Sequence, residues 1–196
     1  MVHGGVSNTR CDGRVEEAKD GAPTTRRRAF IVAVRRGCLR QGDALRWPYE
    51  DDTTERAKVA PPVRPCLEQS RPEEAWPIED YRPYNTPVMR PDGSRVLGRL
   101  DPVKYPYNHW VFDPDYSAPT LRAQVEKAEP PGSVTNLWLV DGMVRNLTVR
   151  ECLRVMGFPA DALEGVDEPT AFGVVGDSVC QPVARALLRE VIRMLS

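Results

Sequence analysis

Arg145-Asn-Leu-Thr-Val-Arg-Glu-Cys-Leu-Arg-Val-Met-Gly-Phe-Pro159 carries its own start and stop signals. Thr148 and Glu151 have the spacing of a capping box, in which the hydroxyl accepts from the third amide and the carboxylate reaches back. Val149, Cys152, Leu153 and Met156 then share one helical face. Gly157 stands where a left-handed residue closes a helix, and Pro159 prevents its continuation. Upstream, Asn136 to Val140 and Met143 to Leu147 flank Asp141-Gly142, a turn dipeptide that predicts a β-hairpin. Hairpin and capped helix therefore form one unit.

Outward from this unit the composition changes. The chain has 196 residues and 19 prolines, and 14 of those prolines fall between Pro61 and Pro131. Eight of its 14 aromatic residues lie in Trp76 to Tyr116. Such a stretch predicts an insert made mostly of loops, with a few short strands at most. Its aromatics, Trp76, Tyr81, Tyr84, Tyr105, Tyr107 and Trp110, suit either base contacts or a small core. Ala29 to Val34 (AFIVAV) reads as a short buried strand. Val183, Leu187, Val191 and Met194, with Leu188, Ile192 and Leu195 beside them, make a closing helix with Pro182 near its first turn.

Several classes are excluded at this level. No apolar run approaches membrane-spanning length, and residues 1–20 have no apolar core of a secretory signal. Five irregularly spaced cysteines and two histidines, His3 and His109, provide neither a zinc pattern nor a disulfide framework, so a reduced cytoplasmic setting is expected. The net charge of −1 is an average. Seven arginines against one acid occupy Arg26 to Arg46, whereas Glu50 to Asp80 carries nine acids against four bases.

Three segments, in this order, resemble the C-terminal half of the DNA (cytosine-5) methyltransferases. Gly21-Ala-Pro-Thr-Thr-Arg-Arg-Arg-Ala-Phe-Ile-Val32 resembles the family's alternating-arginine motif running into a strand, with Thr24 where Gln is usual. Arg145 to Pro159 resembles the penultimate motif as a block. Gly176-Asp-Ser-Val-Cys-Gln-Pro-Val-Ala184 resembles the last, with Asp177 in place of the usual Asn. The Pro/aromatic insert takes the position of the variable target-recognition region, and Ser117-Ala-Pro-Thr-Leu121 resembles an element near that region's end.

The resemblance implies an α/β fold: the C-terminal part of a Rossmann-like, S-adenosylmethionine-dependent methyltransferase plus a small, irregular, mostly-β recognition domain. Residues 1–46 would be the last strands of the catalytic domain, 47–165 the recognition domain, and 166–196 the closing turn and helix. The implied reaction is methyl transfer from S-adenosyl-L-methionine to C5 of cytosine in double-stranded DNA, with the base flipped from the stack and attacked by a cysteine thiolate. The nucleophile and the glycine-rich cofactor loop have no counterpart here. A second polypeptide would supply them, or the chain is a non-catalytic DNA-binding module or an inactive relic. An RNA substrate fits the large insert poorly.

Arg26 and Arg28 point to one strand face; Arg28 would contact the flipped base and Arg26 would buttress the catalytic glutamate or a nearby phosphate. Without the resemblance, a solvated arginine edge explains them as well. Gly176, Asp177, Ser178 and Val179 would line the cofactor site, on a turn spanning Gly173 to Val179. Asp177 can accept but not donate hydrogen bonds, which weakens the fit to a carboxylate. Arg145 and Arg150 would be phosphate or scaffold contacts, and Trp110 would face DNA unless it serves the small core. Pro65-Cys66-Leu67 imitates the nucleophile motif but follows the arginine motif and has no apolar strand before it. No metal site is expected.

Overall fold

A computed structural model describes residues 2–5, 30–33, 61–69, 75–105, 109–121 and 136–195. Strands β1 (Val2–Gly5) and β2 (Phe30–Ala33) pair antiparallel, His3 opposite Val32 and Gly4 opposite Ile31. The AFIVAV stretch is thus a strand over four of its residues.

The second sheet has six strands. In chain order these are β3 (Ala75–Trp76), β4 (Tyr81–Met89), β5 (Arg95–Leu100), β6 (Trp110–Phe112), β7 (Asn136–Val140) and β8 (Met143–Arg145). Their spatial order is β3-β8-β7-β6-β5-β4, antiparallel throughout except for the parallel pair β6–β7. The expected hairpin is β7–β8, with Asp141 and Gly142 both at positive φ (51° and 77°), as its two-residue turn requires.

The Pro/aromatic insert departs from its loop-dominated expectation. It contributes β3 to β6, including the nine-residue β4 with Pro83 and Pro87. Proline is tolerated there because β4 is the sheet edge, so a missing N–H removes no essential ladder bond. The β4–β5 register shifts between Pro83 and Val88.

Three helices follow: α1 (Val149–Val155), α2 (Glu168–Asp177) and α3 (Gln181–Leu195). The Gly173–Val179 turn is a second correction, because residues up to Asp177 are helical. Asp167 caps α2, its Oδ2 accepting from the Thr170 amide at 3.0 Å, and Pro169 lies in the first turn. Burial of Ala171, Val175 and Gly176 outweighs two helical glycines, each disfavoured by about 1 kcal/mol.

Alternation along the strands separates two apolar faces. Val96, Phe112, Trp138 and Val140 join Leu153, Met156, Val175, Val183 and Leu187 beneath the helices. Leu100, Val111, Leu137 and Val144 form the other face, against which Trp76, Tyr81 and Tyr105 pack. These aromatics take the small-core role. Burying one such large side chain contributes about 1.5–3 kcal/mol. On α3, Val183, Ala186, Leu187 and Met194 are buried, while Leu188, Ile192 and Leu195 are exposed. Among the described residues no helix is long and apolar enough to cross a membrane.

Candidate functional site

The capping box forms as its spacing predicts. Thr148 Oγ1 accepts from the Glu151 amide at 3.2 Å, and Glu151 Oε2 accepts from the Thr148 amide at 2.8 Å. Glu151 has a second task. Its two oxygens receive the Arg145 guanidinium at 2.7 and 2.8 Å, and its Oε1 also accepts from the Glu68 amide at 2.7 Å. Arg145 is 1% exposed and Glu151 0%. Arg145 also donates to the carbonyls of Asn146 and Glu68, at 2.8 and 3.2 Å.

A buried ion pair is tolerated when its donors and lone pairs are all engaged, and here β8, α1 and the 61–69 segment share the work. The position of Arg145 supports the scaffold reading over the phosphate reading. Arg150 is more exposed, yet its Nε donates to Glu68 Oε1 at 3.1 Å, and Arg154 Nη2 donates to the same oxygen at 2.8 Å. Burial alone would raise the Glu68 carboxyl, but these two arginines hold it below its usual range. Glu68 was not legible as a partner, because it lies 83 residues from Glu151.

The C-terminal end of α1 closes with paired bonds. The Gly157 amide donates to Arg154 O at 2.9 Å and the Phe158 amide to Leu153 O at 2.8 Å, with Gly157 at φ 79°. This is the Schellman arrangement. It also receives the last motif: the Gln181 amide donates to Met156 O at 3.0 Å, and the Cys180 thiol lies 3.6 Å from Met156 Sδ. The Arg145–Pro159 and Gly176–Ala184 segments are therefore one joined structure.

Within the proposed cofactor segment, Gly176 is buried and Asp177 is the exposed last residue of α2. Ser178 Oγ donates to Val175 O at 2.7 Å, and Val179 is half-buried. The segment lies at the C-terminal end of α2, and Asp177 adds a carboxylate there. A helix C-terminus and a carboxylate both favour a cation.

Trp110 is half-buried on β6, with the Arg90 guanidinium 4.5 Å from its ring centroid. This stacking, worth about 0.5–1 kcal/mol where exposed, had no signal in the sequence. Cys66 lies in a short 3-10 turn, Arg64–Cys66, packed against the core. Burial pushes its thiol up to about 11 against the opposing pull of Arg154, with Glu151 adding to the rise. A nucleophile needs the thiolate, so this geometry supports the loop reading. Arg26 and Arg28 lie outside the described residues. Among the described residues no cluster could hold a metal ion.

The family model described as C-5 cytosine-specific DNA methylase matches residues 13–193. No curated protein matches the chain.

Proposed function

The chain belongs to the C-5 cytosine-specific DNA methylase family, and from that premise we propose that it is the C-terminal portion or subunit of an enzyme methylating C5 of cytosine in duplex DNA. The family match over residues 13–193 carries this reading, since it takes in all three motif segments and the insert between them. The physical junction of the last two motifs, through Met156, Gly157 and Gln181, supports it. In this reading residues 1–46 and 166–196 belong to the Rossmann-like catalytic domain. Residues 47–165, with the six-stranded sheet, form the recognition domain.

Arg28 would orient and polarise the flipped cytosine, and Arg26 would support the glutamate that holds the ring. Preorganised guanidiniums stabilise charge as it develops. Arg150 and Trp110 would meet DNA, while Arg145 holds the scaffold. We assign the nucleophilic cysteine and the main cofactor loop to residues beyond these 196, in a second polypeptide or a further part of the same one.

S-adenosylmethionine would supply the methyl group. The donor set at residues 176–179 suits its ammonium end: Asp177 and the C-terminal carbonyls of α2 attract a cation. The test adds a polypeptide carrying the glycine-rich loop and a Pro-Cys pair, then measures 5-methylcytosine in duplex DNA. Methylation that needs both components supports the reading. Failure with every such half overturns it.

Asp177, in place of the family's usual Asn, would also repel the cofactor's own carboxylate, and this favours a second reading: a DNA-binding module that no longer methylates. Duplex binding independent of S-adenosylmethionine, with a salt slope that falls when Arg26 and Arg28 are neutralised, would support this module. Absence of binding at low salt would reject it.

A further inference from the structure

Three neighbouring strands place Arg82, Arg99 and Trp110 in one row. Arg82 of β4 opposes Arg99 of β5, which in turn opposes Trp110 of β6. Directly opposed residues share a sheet face, and strand spacing makes the row roughly 10 Å long. Arg90 completes it by laying its guanidinium over the Trp110 ring at 4.5 Å.

The charge of this row is only partly answered among the described residues. Arg82 donates to Asp101 Oδ2 at 2.7 Å and to the Glu79 carbonyl. Arg90 Nε is 3.7 Å from Asp92 Oδ2, beyond hydrogen-bonding distance. Arg99 is exposed, and its side chain has no hydrogen bond or ion pair among the described residues. Like charges directly opposed weaken a sheet. Asp101 pairs with Arg82 and Asp80 lies within electrostatic reach of it, but neither bonds to Arg99, so an incoming anion would relieve the repulsion. A guanidinium stacked on indole is held flat, with N–H groups left at its rim.

We propose that Arg99, flanked by Arg82 and by Arg90 on Trp110, is a contact row for the sugar–phosphate backbone of duplex DNA. The inference rests on the DNA-directed reading above and deepens it by naming where the duplex lies. The guanidinium fork matches phosphate oxygens. Backbone rather than base contact follows from width: six strands at about 4.8 Å are too broad to enter a major groove roughly 12 Å across. The row sits on the same sheet face as Phe112, toward the β4 edge, where Arg82 and Arg99 are exposed.

The experiment measures binding of the full chain to a labelled duplex over a range of salt concentrations. Arg99→Gln should reduce the salt slope by about one and weaken binding uniformly across sequences. Arg99→Lys should keep the slope. Arg193→Gln, which removes a guanidinium paired with Glu190 on α3, should leave it unchanged. The thermal midpoint of Arg99→Gln should not fall, since a like-charge contact is removed; a fall would show a structural role and overturn the proposal. An unaltered slope in Arg99→Gln, with the unsubstituted chain still binding, overturns the contact row alone. No duplex binding at low salt overturns both the row and the DNA-directed reading. Tighter binding to an RNA duplex of equal length overturns the assignment to DNA.

Discussion

Arg145 and Glu151, six residues apart, form a two-point ion pair at 2.7 and 2.8 Å with neither side chain more than 1% exposed. Glu151 is also the capping carboxylate of α1 and an acceptor for the Glu68 amide. One side chain thus fixes the hairpin, the helix start and a distant segment. Glu151→Gln leaves a buried cation short of its counter-charge, which costs about 3–5 kcal/mol. Adding Arg145→Met to Glu151→Gln should recover part of that loss, because the uncompensated cation is gone while the glutamine oxygen still accepts. Denaturant titration compares the variants, and a loss below about 1 kcal/mol for Glu151→Gln would refute the keystone role.

Gly157 faces two constraints at once. Its φ of 79° is left-handed, and a Cβ there would lie 2.7 Å from Pro182 Cδ, an atom held in a ring. Left-handed backbone costs a non-glycine residue about 1–2 kcal/mol. Gly157→Ala should lose more than that, because the clash adds to the strain. Adding Pro182→Ala should recover the steric part only. Equal thermal midpoints for the single and double variants would show that the junction of α1 with α3 does not restrain Gly157.

His109 is buried among the rings of Trp76 and Tyr105, and its Nδ1 has no partner among the described residues. Burial holds its pKa below the ordinary 6.5. The unfolded chain therefore takes up a proton first as pH falls, and stability declines from 6.5 down to the folded-state value. It is fully present above 6.5. His109→Phe should flatten the dependence of the denaturation midpoint between about pH 5 and 8, where histidine is the side chain that titrates. A slope unchanged by this substitution would rule out His109 as its source.

Cys66, with its thiol pushed up to about 11, should react slowly with alkylating agents near neutral pH, and the rate should climb as pH approaches that value. Cys66→Ala should leave complemented methyl transfer intact. Loss of transfer in a folded Cys66→Ala protein would restore this residue as a candidate nucleophile.

The elements most legible in the sequence were those set by local rules. The Asp141-Gly142 turn, the Thr148–Glu151 capping box and the Gly157 stop each act within a few residues, so spacing alone located them. The closing helix was equally clear from its 3.6-residue period. Pro83 and Pro87 misled because local propensity argues against a strand, whereas edge position, a tertiary property, permits one. Gly173 and Gly176 misled in the same way: local permissiveness suggested a turn, and the Asp167 cap with burial of Val175 made a helix.

The sequence by itself determined the family, the hairpin–helix unit and the low standing of Cys66 as a nucleophile. Tertiary structure alone decided that Arg145 is buried in a two-point ion pair with Glu151. Glu68 and Glu151 reach it from 77 and 6 residues away, and an ion pair depends on distance in space, which spacing along the chain does not encode. The same holds for the row of Arg82, Arg99 and Trp110, brought together only by strand register.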